Sequence, residues 1–192
     1  MRESTDLKET ILREAEELFI AHGYAGTSIK QVAAASGCTS AALYYYFPEG
    51  KAQILREVVR CTFSEKFTTL IRAGRDATTL SEWVRAFGRA AIQAMHDLHR
   101  RRNWIELEMH QLGADEQAVV HQQVLELHQA IATEIARFVE DETTANKLAW
   151  ILLCAFSGYA QLFHSRGLER VSEFEPASFV ETMAWVFVKA AE

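Results

Sequence analysis

Apolar residues recur every three to four positions along almost the whole chain, and only two prolines, Pro48 and Pro176, interrupt 192 residues. That period is the helical one, and so little turn punctuation excludes a turn-dense β architecture. The first helix is expected from a capping-box-like Asp6/Glu9 start, through Ile11, Leu12, Ala15, Leu18 and Phe19, to a Gly23 stop. Thr27 or Ser28 opens a second, short helix to about Ser36, and Thr39 or Ser40 a third to Phe47. A long helix follows from Lys51 to Ala73. A capping box at Thr79/Glu82 opens a fifth, which reaches about His99 with the basic run Arg100-Arg101-Arg102 at its end. A short segment covers Trp104 to Leu112. Long helices then run over about 115–139 and 143–165, and a box at Ser172/Glu175 leads a last helix with Pro176 in its first turn. The expectation is an all-α chain of about nine helices, with no repeat and no low-complexity linker.

Composition narrows the class. A 49% hydrophobic and 24% charged chain is globular rather than disordered. Cys38, Cys61 and Cys154 are odd in number and widely spaced. They form neither a disulfide framework nor a CxxC metal site, which points to a reducing, cytoplasmic setting. The N-terminus is polar, without a signal-like apolar stretch, and the most apolar segment, Leu148 to Phe163, is too short to span a membrane. Catalytic signals are missing: there is no Gly-rich phosphate loop, GxSxG elbow or HExxH, and Glu106 and Glu108 diverge on a helix. No catalytic residue, metal ligand or cofactor is therefore expected. His96/His99 and His121/His128 lack the company that zinc requires.

Net charge is −6, and residues 1–51 hold five basic against seven acidic residues. Charge alone does not nominate a nucleic-acid binder, so geometry has to. The stretch Ile29 to Pro48 supplies it. Two short helices meet at Gly37, Ala33 is small enough for the second helix to cross above it, and Val32, Cys38 and Leu43 are suited to the contact. The second helix would lie in the major groove. Its short side chains, Thr39, Ser40, Ala41 and Ala42, allow close approach, through hydroxyls or through methyls that touch thymine. Tyr44, Tyr45 and Tyr46 point about 100° apart, so one or two face outward with hydroxyls suited to phosphate. Lys51 reaches another phosphate. Cys38 reads better as a small core residue than as a redox switch, and the Arg100–Arg102 run better as a solvated terminus than as an anion site.

Residues 8–59 resemble the DNA-binding head of TetR/AcrR-type transcriptional regulators. The resemblance rests on Ala15, Leu18 and Phe19, then Gly23-Tyr24, Thr27-Ser28-Ile29, Val32-Ala33, Ser36-Gly37-Cys38-Thr39, Leu43 to Phe47, and Lys51 before Ile54-Leu55. Cys38 stands where valine is usual and Tyr46 where histidine is common. The Phe47–Lys51 junction is one residue longer than the common form, as in a subset resembling drug- and flavonoid-responsive repressors. The resemblance implies a helix-turn-helix domain over 1–48, with Thr27, Ser28, Lys30, Thr39, Ser40, Ala41, Ala42, Tyr44, Tyr45 and Lys51 at the DNA. It implies a ligand-binding and dimerisation domain over 49–192.

Three partners follow from it: double-stranded DNA carrying a palindromic operator, a small-molecule effector, and a second copy of the chain bound through the last two helices. The apolar residues Trp150, Ile151, Phe156, Tyr159 and Leu162 of one helix, and Phe179, Val180, Met183 and Phe187 of the other, support that last role independently. A cavity for a lipophilic or aromatic effector is implied, with Phe63, Phe67, Phe87, Trp104, Leu107, His110, Trp150 and Phe156 as lining residues. The helix from Lys51 is expected to be the sole continuous link, and hence the lever, between head and remainder. The alternative is a helical small-molecule or partner-binding module with a vestigial head.

Overall fold

Side-chain caps open the helices that begin at Ile29, Ser40, Leu80 and Glu142 of the computed structural model, which describes residues 2–108, 112–168 and 172–191. Eight α-helices and one π-helical turn make up the described elements, with no strand among them. They are α1 (Arg2–Gly26), α2 (Ile29–Ala35), α3 (Ser40–Tyr46), α4 (Lys51–Ala73), α5 (Leu80–Glu108), α6 (Ala114–Ile135), α7 (Glu142–Tyr159) and α8 (Pro176–Ala191). The π turn Ala160–Ser165 continues α7.

Several expected boundaries are corrected. α1 begins ahead of Asp6, which is a body residue rather than a cap. Gly23, at φ 74° and ψ 163°, kinks it near its end instead of finishing it. α5 does not stop at His99 but runs on through Trp104. A basic run favours a helix terminus without enforcing one, and the next breaker is Gly113. The box at Ser172 does not form. Ser172 Oγ accepts from the Phe174 N–H, and Pro176 as the first helical residue makes Glu175 the cap position. The box at Thr79 does form: Glu82 N–H donates to Thr79 Oγ1 at 3.2 Å, and the Glu82 carboxylate receives both Thr78 and Thr79 amides.

The chain gathers into two compact units, Met1–Ser64 with Arg100–Gln123, and Glu65–His99 with Val124–Glu192. The first thus takes in residues beyond position 48. Its core joins Ile11, Ala15 and Phe19 of α1 to Val32, Leu43, Phe47, Ile54 and Val58, all essentially solvent-free. Each large apolar side chain there contributes about 1.5–3 kcal/mol on burial. Leu112 and Val120 complete it. α5 and α6, like α4, have residues in both units, so α4 is not the sole continuous link.

The second unit is built on an aromatic column. Trp83 stacks on Phe87 at 5.2 Å, Phe87 meets the edge of Phe156 at 5.7 Å, and Phe156 that of Phe179 at 5.1 Å. Close approach at two glycines makes room for it. A Cβ on Gly88 would press on Phe156 and Val180 at 3.0 Å, and one on Gly74 would collide with the indole of Trp83. Trp83 is fully buried, so its ring cannot swing aside. Gly74→Ala is expected to destabilise the protein by about 1–3 kcal/mol through overpacking, measured as a lower denaturant midpoint at unchanged slope.

Candidate nucleic-acid interface

The turn between α2 and α3 is built from four consecutive residues. Gly37 takes φ +65°, a left-handed conformation costly for any side chain. Its N–H reaches Ala34 O at 3.2 Å, and Cys38 N–H reaches Ala33 O at 2.9 Å. Ser36 is buried and its hydroxyl donates to Val32 O at 2.8 Å. Ala33 is buried beside Leu43, as its small size predicted. Of the open alternatives, Ser28 caps α2 in a reciprocal box with Gln31, and Thr39 caps α3 by accepting the Ala42 N–H at 3.1 Å. Cys38 packs against the first unit's core, and burial raises its thiol pKa, which fits a core residue better than a redox switch.

The outward surface of this pair carries most of the expected DNA-contacting residues. Ser28, Lys30, Thr39 and Ala41 are exposed, and Ser40 and Ala42 half-buried. Tyr44 and Tyr45 are 48% and 80% exposed, while Tyr46 turns half inward and meets the Tyr45 ring edge-on at 5.3 Å. Tyr44 lies along Gly50, whose φ of +66° makes the close turn into α4.

Two members of the expected set are committed inside the head instead. Thr27 is buried, and its hydroxyl contacts Gly23 O at 2.9 Å and Leu18 O at 3.2 Å, beside the α1 kink. Lys51 does not project as a free phosphate contact. Its ammonium donates to Tyr24 O at 2.8 Å and Thr27 O at 2.9 Å, and lies 4.3 Å from the centre of the Tyr24 ring. Burial lowers the Lys51 pKa, opposed by the Glu116 charge. Tyr24 in turn reaches Glu116 Oε1 at 3.4 Å. Burial, then the Glu116 charge and hydrogen bond, push the Tyr24 pKa up to about 12. Glu116 had no signal in the sequence, since it lies 92 residues from its partner. Gln31 had one, the Ser-x-x-Gln spacing of a capping box.

The expected ligand-lining residues separate. Phe87 and Phe156 are buried in the aromatic column, and Phe67 packs half-buried against the same core. Trp150 is corrected: it is 42% exposed and stacks outward on His128 at 4.2 Å, because α7 turns that face away from the core. His110 lies outside the described residues, as do the side chains of Phe63, Trp104 and Leu107. Among the described residues no group of three or more His, Cys, Asp or Glu side chains is arranged to hold a metal ion. No described helix is long and apolar enough to cross a membrane.

Helical described elements whose first unit presents a supported helix-turn-helix have the architecture that DNA-binding regulators use. Residues 11–58 match the family model described as bacterial regulatory proteins, tetR family. The chain is similar to the biofilm operon icaADBC HTH-type negative transcriptional regulator IcaR of Staphylococcus aureus, with 24% identity over 135 residues, 70% of each protein. It is 44% identical over 54 residues to the HTH-type transcriptional regulator LmrA of Bacillus subtilis, 28% of this chain and 29% of that one. Its fold resembles the transcriptional regulator FadR of Bacillus subtilis, solved in complex with stearoyl-CoA. That likeness has a TM-score of 0.72 at 11% identity and covers 96% of this chain and 99% of the other. The likeness to the tetR family thus lies in the helix-turn-helix head, residues 11–58, and the remainder shares the fold of the solved regulators.

Two outcomes test the head. Lys30→Ala is expected to weaken DNA binding evenly across sequences and to lower the salt slope by about one, read from titrations at several salt concentrations. Tyr24 is protonated in the folded protein up to about pH 12 but ionises near 10 when unfolded. The folded state therefore holds more protons in that window, and stability falls as pH rises from 10 to about 12. In Tyr24→Phe the alkaline limb of the stability profile is expected to flatten, measured by denaturant unfolding along that range.

Proposed function

We propose that this regulator is a repressor that binds a palindromic operator as a homodimer and leaves it when a small lipophilic effector binds its second unit. The observation that carries the dimer is the outward face of the last two helices. Trp150 and Ile151 of α7, Leu162 of the π turn, and Trp185 and Val186 of α8 stand exposed, with Trp185 64% in solvent. Large apolar side chains left in solvent on these helices are ones that a second copy would cover. A two-fold dimer then presents its recognition helices about 34–36 Å apart, one turn of DNA. Ser28, Lys30, Thr39, Ser40, Ala41, Ala42, Tyr44 and Tyr45 form the contact surface, and Thr27 and Lys51 hold it in shape.

Repression as the sign of control is supported by the negative regulator IcaR among the relatives. An acyl thioester is one effector class to screen, since FadR was solved with stearoyl-CoA. Phe67, Phe87 and Phe156 make the interior of the second unit apolar, which suits a lipophilic effector. Release requires the effector to bind the freed conformation more tightly than the DNA-bound one, and that difference bounds the coupling. α4, α5 and α6 share the transmission, because each carries residues of both units.

Selection from random duplex DNA by the purified protein tests this reading. The expected product is a palindrome, bound by a dimer in sedimentation and released by an acyl thioester or another lipophile. Trp185→Glu places a charge on the outward face without touching the buried core. It is expected to yield folded monomers that no longer enrich the palindrome. A dimeric variant with unchanged selectivity would remove the α7/α8 face from the interface.

A further inference from the structure

The residues that the helix-turn-helix does not have define what it reads. In the major groove, guanine is recognised by Arg or Lys, adenine by Asn or Gln, cytosine by Asp or Glu, and thymine by apolar contact with its methyl group. From Thr27 to Phe47 the chain holds no Arg, Asn, Asp or Glu, one Lys and one Gln. The side-chain carbonyl of Gln31 is occupied, receiving the Ser28 N–H at 2.8 Å and the Ser28 hydroxyl at 2.7 Å. Lys30 lies on α2, not on the recognition helix. Thr39, the cap of α3, turns its oxygen to the Ala42 N–H at 3.1 Å, and Ser40 is half-buried.

The exposed residues of α3 are Ala41 and, three and four residues further along the helix, Tyr44 and Tyr45. Residues at these spacings are neighbours on a helix surface. The exposed face of α3 is therefore a methyl-sized side chain with two aromatic ones at neighbouring positions, apolar apart from their hydroxyls.

We infer that α3 reads its operator through thymine methyl groups, with Ala41 as the specificity-determining residue and the tyrosines as its walls. The inference rests on the operator-binding reading above and adds what the operator half-site must contain: at least one thymine whose methyl enters this face. Lys30 and the tyrosine hydroxyls position the head on phosphates and leave base discrimination to the methyl contact.

Deoxyuridine tests this directly, because it removes only the methyl and keeps base pairing. Each thymine of the selected site is replaced in turn, and binding of the full-length protein is measured at fixed salt. The expected result is a loss of about fourfold at one or two thymines per half-site, the effect of one buried methyl, with the other positions unchanged. In Ala41→Gly the same replacement is expected to make little difference. An enriched site that tolerates uracil at every position, or an uracil loss undiminished in Ala41→Gly, overturns the methyl readout while leaving operator binding intact. Failure to enrich any site defeats the operator reading itself, and the methyl readout with it. The uracil series on the wild-type protein needs no variant to fold.

Discussion

One ammonium group holds the corner on which the DNA-binding head turns. The kink at Gly23 takes the end of α1 out of helical geometry. Thr27 satisfies Leu18 O and Gly23 O, and Lys51 satisfies Tyr24 O and Thr27 O. An unpaired buried carbonyl costs about 1–3 kcal/mol, and a charged donor forms a stronger hydrogen bond than a neutral one. Because Lys51 is also the first residue of α4, the same contacts that close the corner fix where that helix starts. The α2–α3 pair is carried between these two fixed points.

This explains why the lysine belongs inside. An ammonium extended to a DNA phosphate would gain a contact and give up its bonds to Tyr24 O and Thr27 O, the first of which would keep only the Thr27 N–H. Held where it is, it also lies over the Tyr24 ring, whose hydroxyl reaches Glu116 at the start of α6. A residue with the right type and spacing for phosphate binding acts instead as a brace. The surface left for DNA is then nearly uncharged, with Lys30 its sole charged residue between Thr27 and Phe47.

The second unit follows a different logic. Its core is a stack of rings seated against glycines, and density there leaves little tolerance for added volume. The outward faces of α7 and α8 carry large apolar side chains that the core does not use. Both patterns come from helices with apolar residues on more than one side, which must be buried on more than one side.

The sequence by itself determined the helical class, most helix starts, and the helix-turn-helix. Those depend on residues within one turn of each other: Ser28 with Gln31, Thr39 with the Ala42 amide, Thr79 with Glu82, and Gly37 at the only conformation the turn allows. Even Tyr46, the inward member of three consecutive tyrosines, was constrained by helical geometry to differ from its neighbours. Tertiary structure decided the rest. Whether α5 stops at its basic run, whether Trp150 faces in or out, and whether Lys51 reaches solvent or a carbonyl depend on what else arrives at that place. The Glu116 contact joins residues 92 apart, and no local pattern encodes a pairing over that separation. Short-range hydrogen bonding is written in neighbouring residue types. The direction in which a long side chain spends its charge is settled by the three-dimensional surroundings, where burial and unpaired carbonyls outweigh what its position in the chain suggests.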